Sequence, residues 1–409
     1  MKVTLKNIGL VESAEINIGG LTVIAGHNSV GKSYIGKAIY SGVKAMNMNL
    51  NSDISLDWAS RKLFQGLLDS INNIDRTKKF AHFILQRQYH LLFNEQDPIT
   101  FRLHILSSIK DIEQNFPQLI KNDSIQELIS SIKNRDTTST FKGLFDFFIK
   151  SVFKEQYNSV SNPTSLGELT FSTNATKVLA IEVKENKTSS LINTNILYKD
   201  ITLIETPIIL SLVSYIRDSL AFSEKQSRLL PAYILDLVRK LVEGSYDTPT
   251  NNPLYDSIIK TINGQLTIDG NQVLYKDKSN NSYNINNVAS GIKSFGIIQL
   301  LLAGEHIRPN SILVIDEPEV HLHPEWQLEY AKLLIELVKH NIPVIVTSHS
   351  PYFVEALKVY SDKAKIDDKT YFYLGEMGEK GSTFKDVTQN LEALFDKFAA
   401  PMLKLIVDK

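Results

Sequence analysis

The sequence contains no cysteine. That excludes disulfides, thiolate metal sites and cysteine nucleophiles, and it leaves the chemistry to hydroxyls, carboxylates, amines and imidazoles. Neither sign of charge is in excess: 44 Lys and Arg face 45 Asp and Glu, for a formal net charge of −1. No global basic field therefore advertises nucleic acid, although a local basic groove for DNA stays open. No apolar run approaches the roughly 20 residues of a membrane span, so no membrane partner is expected. Met1-Lys2-Val3-Thr4-Leu5 reads as the start of a strand and lacks the apolar core of a signal peptide. A cytoplasmic protein is the expectation. The remaining composition, 43% hydrophobic and 22% charged over 409 residues, is that of a globular chain with one large domain or two to three smaller ones.

What the sequence does have is a glycine-x4-glycine-lysine-serine loop, Gly26-His27-Asn28-Ser29-Val30-Gly31-Lys32-Ser33. The apolar run 21–25 before it reads as a buried strand, and 34–45, starting at Tyr34, reads as a helix. Strand, glycine loop and helix in that order make the motif a phosphate site rather than an ordinary turn. Gly26 and Gly31 let the backbone wrap an anion with its N–H groups, and the helix start adds a partial positive charge. Lys32 is suited to the β- and γ-phosphates, and the Ser33 hydroxyl to Mg2+.

Around this loop the pattern predicts strands at 3–8 and 14–18. From 53 to 157 the apolar residues recur at helical spacing: Leu63, Phe64, Leu67 and Leu68; Phe83, Ile84, Leu91 and Leu92; Ile125, Leu128, Ile129 and Ile132; Phe141, Leu144, Phe145 and Phe148. Four to six inserted helices are expected, too irregular for a coiled coil. With 14 Lys and Arg against 13 Asp and Glu, the stretch is neutral, and the Arg76, Lys78 and Lys79 cluster reads as a solvated helix end. Strands are predicted again at 169–171, 178–183 and 196–203, with a polar, turn-like stretch at 186–195. Helices at 208–220, 228–242 and 254–262 follow, then a hairpin turning at Asp269-Gly270-Asn271.

The last third carries more chemistry. The apolar strand 311–315 ends in Asp316-Glu317-Pro318. A carboxylate at the end of a buried parallel strand lies beside the glycine loop in such a sheet, so Asp316 can hold Mg2+ and Glu317 can polarise an attacking water. A second apolar strand, 343–346, ends in Thr347-Ser348-His349, where an imidazole can reach and sense a γ-phosphate. Ser290 and Gly291 begin the long apolar helix 295–303. They read either as a second anion-binding helix end or as a plain serine N-cap.

These four pieces, in this order, resemble the ABC-type ATPases of the SMC/RecF/OLD group. Gly26–Ser33 is similar to Walker A, with the Gly-x-Asn pattern at Gly26-His27-Asn28, and 312–317 is similar to Walker B with its glutamate. Ala289-Ser290-Gly291-Ile292-Lys293 stands at the ABC signature but carries Ile292 and Lys293 where that group has glycine and glutamine. His349 resembles the switch histidine. The run Asp316-Glu317-Pro318-Glu319-Val320-His321-Leu322-His323-Pro324 is similar to that of OLD-like ATPases and of bacterial antiphage ATPases of the Septu type. The resemblance covers about residues 1–45 and 165–375.

The resemblance implies an α/β, ABC-type P-loop ATPase head, a mixed sheet with flanking helices, formed by 1–50 and 160–409 and interrupted by an α-helical insertion at 51–159. It implies ATP on residues 26–34 and Mg2+ on Ser33 and Asp316. Glu317, Lys32 and His349 would be the catalytic groups. In a head-to-tail, ATP-dependent homodimer or higher oligomer, Ser290, Gly291 and Lys293 would cap the nucleotide of the other subunit. The function implied is an ATPase subunit of an antiphage defence complex that regulates a separate effector, a nuclease or toxin. The alternative is a RecF-like DNA-binding repair ATPase. No nuclease is expected in this chain, because Asp362, Asp367 and Asp368 read as a surface turn. His321 and His323 are expected to pack behind the site or at the dimer contact rather than hold a metal. The glutamine of the Q-loop is unassigned, with Gln65, Gln86 and Gln88 as weak candidates.

Overall fold

A computed structural model of the protein describes residues 1–50, 137–222 with short gaps, 230–245, 252–269 and 272–407, and a few positions between 109 and 130. The chain divides into two compact units, Met1–Lys44 with Phe148–Lys409, and Ala45–Phe147. In the smaller unit every described residue is helical. There Phe141, Leu144 and Phe145 of the helix Thr137–Phe153 are buried, and the rings of Phe141 and Phe145 stack 6.4 Å apart. The expected helical stripes between 63 and 92, the Arg76 cluster, and Gln65, Gln86 and Gln88 lie outside the described residues.

The larger unit is built on an eleven-stranded sheet. In chain order its strands are β1 (Lys2–Ile8), β2 (Val11–Asn17), β3 (Leu21–Gly26), β4 (Gly167–Thr173), β5 (Thr176–Lys184), β6 (Lys187–Asn193) and β7 (Asp200–Ile204). A separate three-stranded meander holds β8 (Gly264–Asp269), β9 (Gln272–Asp277) and β10 (Ser282–Asn284). The large sheet is completed by β11 (Ser311–Asp316), β12 (Val344–Ser348), β13 (Thr370–Met377) and β14 (Ser382–Asp386). Its spatial order is β6-β5-β4-β1-β2-β14-β13-β3-β12-β11-β7.

Two halves of the sheet follow two sequence rules. The five strands β13, β3, β12, β11 and β7 run parallel. β3 and β12 are buried at every position, as a parallel sheet covered on both faces requires. The β6-to-β2 half is antiparallel and alternates: Val3, Leu5 and Ile8 of β1 are buried while Lys2 and Lys6 are exposed. Helices Ala232–Gly244, Pro253–Ile262, Ser290–Ala303, Pro324–Lys339 and Pro351–Lys363 pack on the parallel half. Helix Ser290–Ala303 is buried all round from Ser294 to Ala303, with Phe295 edge-on to Trp326 and Tyr330.

Several expectations are corrected. The polar stretch 186–195 is not a connection, because Lys187–Asn193 forms β6, antiparallel to β5. An edge strand needs no apolar run, since backbone pairing on one side suffices. The strand expected at 196–203 is Asp200–Ile204. In the final sixty residues, where no strand was anticipated, β13 inserts beside β3 and β14 links the two halves of the sheet.

One buried ionic cluster anchors the part of helix Lys32–Leu50 that belongs to the larger unit, which ends at Lys44. Lys44 Nζ lies 2.6 Å from Asp200 and 2.9 Å from Asp236, and Lys240 Nζ lies 2.7 Å and 3.1 Å from the same pair. Lys240, fully buried, also donates to Ile201 O and Thr202 Oγ1. Burial alone would push the Asp200 and Asp236 carboxyls up, but the two lysines hold both below the usual carboxylate range.

Candidate functional site

The tips of β3, β11 and β12 lie side by side at the C-terminal edge of the parallel strands. The glycine loop leaves β3 with Gly26 at φ 155°, Ser29 at φ 67° and Gly31 at φ 82°. A side chain at Gly26 would also sit 2.9 Å from the carbonyl of Gly375 on β13, so glycine is required there twice over. His27, Asn28 and Ser29 are exposed and Val30 is buried. The His27 ring stands edge-on to Phe398, 6.1 Å away. Tyr34 is turned from the loop, against Phe153 and the Cα of Gly9.

Lys32 is 4% exposed, and its ammonium donates to Gly26 O at 2.9 Å and His27 O at 3.0 Å. It also pairs with Glu317 Oε1 at 3.3 Å. Ser33 Oγ donates to Asp316 Oδ2 at 2.7 Å. Glu317 Oε2 stands 3.3 Å from His349 Nδ1. Lys32, Ser33, Asp316, Glu317 and His349, drawn from three strand tips, thus form one cluster. Glu317 sits in the left-handed region at φ 45°, which is strained for a glutamate. Its backbone N–H is held by Thr347 O and Thr347 Oγ1.

Ser290, Gly291 and Lys293 stand elsewhere, and among the described residues none bonds to those five. Ser290 is the first helical residue, with Ala289 at the N-cap, so the plain serine-cap reading does not hold. Its hydroxyl donates to His321 O at 2.7 Å. Gly291 lies against Trp326, which a side chain there would strike. Lys293 Nζ is 3.1 Å from Ser211 Oγ, and burial pushes its pKa down. His321 and His323 are exposed rather than packed behind the site. His323 caps helix Pro324–Lys339 by accepting from Glu325 N. Among the described residues no group of three or more His, Asp or Glu could hold a metal.

Residues that sequence reasoning passed over complete the cluster. Thr347 donates a short hydrogen bond to Asp316 Oδ1. Glu319 accepts from Ser348 Oγ at 2.6 Å and from His349 N at 3.0 Å. Glu205 follows the tip of β7, bonded to Lys37 at 2.7 Å and to Tyr233 OH at 2.6 Å. Glu205 obeys the rule that marked Asp316, a carboxylate ending an apolar parallel strand, and could have been found by it.

The electrostatics suit a cation-assisted phosphate site. Burial raises the Asp316 carboxyl, Thr347 and Ser33 pull it back, and Glu205 and Glu317 push it up again. The result is a carboxylate and a hydroxyl 2.7 Å apart in an under-compensated negative field. Two hard oxygen donors and no nitrogen or sulfur fit Mg2+, which takes few protein ligands and completes its shell with water and phosphate.

A family model of the AAA ATPase domain matches residues 1–354. The chain is 32% identical over 100 residues to the Septu protein PtuA of Bacillus thuringiensis, a match over 22% of this chain and 24% of that protein. The chain therefore spans about a quarter of the length of that curated relative. Among solved structures, the SMC head domain of Thermotoga maritima is 13% identical, with 94% of this chain and 98% of that chain covered at a TM-score of 0.43. An SMC head with an extended coiled coil from Pyrococcus furiosus, bound to the C-terminal domain of ScpA, is 12% identical over 97% and 98% of the two chains at a TM-score of 0.41.

Proposed function

This chain belongs to the family of AAA ATPase domains, and we propose that it works as a nucleotide-dependent dimeric switch, the ATPase subunit of a bacterial antiphage defence complex. It is an ATP-binding and ATP-hydrolysing protein by its family. One observation carries the rest: across three neighbouring strand tips and up to 317 residues apart in sequence, Lys32 meets Glu317, Glu317 meets His349, and Ser33, next to Lys32, bonds Asp316.

In this reading the ATPase head is 1–50 with 160–409, and 51–159 is a helical insertion. The loop N–H groups and Lys32 bind the phosphates of ATP. Lys32 leaves the carbonyls of Gly26 and His27 to do so, and releases Glu317 as it goes. Glu317 then accepts a proton from the attacking water, and His349 faces the γ-phosphate. Ser33 and Asp316 would hold Mg2+, which neutralises charge developing on the phosphate oxygens. Positioning and charge stabilisation supply the acceleration.

Ser290, Gly291 and Lys293 lie outside this cluster, which is what a contribution to the partner's nucleotide requires. A head-to-tail dimer would bring Ser290 of one subunit to the phosphates held by the other, so ATP favours the closed dimer and hydrolysis opens it. The Septu-like run 316–324 and the identity to PtuA support a role in controlling a separate effector such as a nuclease.

The decisive experiment is Glu317→Gln with ATP and Mg2+. Turnover should fall by about 100-fold or more, with ATP retained and the protein eluting as a dimer. Unchanged turnover, or a monomer that keeps ATP, overturns the reading. Copurification with the product of a neighbouring gene tests the effector. ATP-dependent, salt-sensitive DNA binding by the isolated chain would instead favour the RecF-like alternative.

A further inference from the structure

Glu319 follows the catalytic carboxylate by two residues and is 4% exposed. Its Oε1 carries two donors, Ser348 Oγ at 2.6 Å and the His349 backbone N–H at 3.0 Å. Ser348, fully buried, in turn accepts from Ser350 N at 3.1 Å. Ser350 caps helix Pro351–Lys363 by accepting from Phe353 N. One carboxylate thus ties the turn after β11 to the end of β12 and to the start of the next helix.

Two atoms at this junction are left over. Glu319 Oε2 is buried with no hydrogen-bond partner among the described residues. His349 Nδ1 is also without one: it lies 3.3 Å from Glu317 Oε2 and 3.7 Å from Glu319 Oε1, close to the Glu319 carboxylate whose other oxygen is unpaired. Among the described residues no lysine or arginine pairs with Glu319. A buried carboxylate oxygen without a donor is expensive, and such a group persists where another arrangement of the same site uses it.

The second arrangement follows from the proposed turnover. Glu317 now serves both Lys32 and His349. It cannot keep the imidazole while it orients a water. Once it turns away, Glu319 is the remaining carboxylate beside Nδ1. We propose that Glu319 is the positioning residue of the His349 switch: it braces the backbone at Ser348 and His349, and it accepts the Nδ1–H hydrogen bond when Glu317 turns to the water. The bond on Nδ1 then fixes the tautomer and points Nε2 outward. No covalent bond is made or broken in this exchange. Nδ1, without a hydrogen bond in this structure, gains one acceptor.

This inference rests on the role given to His349 above, and a mutant cycle on the full chain separates the two. The variants are Glu319→Ala, Glu319→Gln, His349→Ala and the double variants. Turnover, ATP affinity and melting midpoint are read for each. Glu319→Ala should lower kcat by roughly tenfold or more and leave ATP affinity within about threefold, since Glu319 bonds neither Lys32, Ser33 nor the glycine loop. In the His349→Ala background the same change should cost no further turnover, because its effect runs through the imidazole. Glu319→Gln keeps an acceptor for Ser348 Oγ. It should melt with the unsubstituted protein, lose less kcat than Glu319→Ala, and show the same absence of further loss beside His349→Ala. It carries the cycle if Glu319→Ala fails to fold. An equal loss with and without His349, or turnover at the starting level in both Glu319 variants while His349→Ala is slow, overturns the role of Glu319 alone. Normal turnover in His349→Ala overturns both readings.

Discussion

Helix Lys32–Leu50 carries a lysine in each of two ionic clusters, and the clusters could hardly differ more. Lys32 opens the helix at the C-terminal tips of the parallel strands. Lys44, twelve residues and about 18 Å further along, meets Asp200 at the opposite end of β7. The Lys44 cluster is balanced: Lys44, Lys240 and Arg239 face Asp200, Asp236 and Glu243, and Lys240 adds bonds to Ile201 O and Thr202 Oγ1. The Lys32 cluster is not. Lys32 and Lys37 are the cations among Asp316, Glu317, Glu319 and Glu205. A matched buried cluster resists change, because removing either partner strands a charge. A mismatched one at a strand edge waits for added charge, and a magnesium triphosphate brings both the cation and the anion.

The sharpest way to break this comparison is to remove each lysine in turn. Lys32→Ala should reduce ATP turnover by about 1,000-fold or more and weaken ATP binding, seen by calorimetry, with little change in melting. A Lys32→Ala protein that binds ATP normally, or one that unfolds, would erase the distinction. Lys240→Ala should do the reverse. It leaves Asp200 to Lys44 alone, takes one cation from Asp236 and removes the bonds to Ile201 O and Thr202 Oγ1, and should cost about 3–5 kcal/mol in denaturant unfolding, while ATP affinity of the folded fraction stays unchanged.

A smaller effect concerns pH. Asp200 and Asp236 have carboxyls lowered in the folded state. Their contribution is therefore complete above the ordinary carboxylate value of about 4 and is lost as pH falls below it through the folded values. Asp316 is raised, so the sign is opposite: its ionised form opposes folding near neutral pH, and protonation relieves that. In melting curves between about pH 7 and pH 2, Asp200→Asn should flatten the loss below about pH 4 from a lower starting point. Asp316→Asn should melt slightly above the unsubstituted protein at pH 7 while losing Mg2+-dependent turnover. The smallest effect is Lys37→Met, which frees Glu205 at a partly exposed site and should change turnover by less than about threefold. A large loss there would move Glu205 and Lys37 into the phosphate site.

Much of this was legible beforehand, for identifiable reasons. Buried parallel strands read as short apolar runs, so β3, β11 and β12 stood out, and so did the charged residues ending them. The glycine loop has few alternatives to an anion site once a strand and a helix flank it. Strand β6 escaped because an edge strand can be polar, and β13 because nothing in its sequence says which strand it will pair with. Thr347 and Glu319 escaped for the same reason: a threonine and a second acidic residue are common, and only their neighbours make them part of a site.

The sequence alone determined which chemical groups this protein has at its strand ends, because hydrophobic period and turn residues are local properties of a chain. It also determined what was impossible, since a chain without cysteine has no thiol chemistry at any fold. Which of those groups touch was decided only by tertiary structure. Ser33 and Asp316 are bonded across 283 positions, and strand order, not sequence distance, puts them together. The balance of charge in each cluster is likewise a property of the packed sheet, because a carboxylate acquires its character from the cations and burial around it.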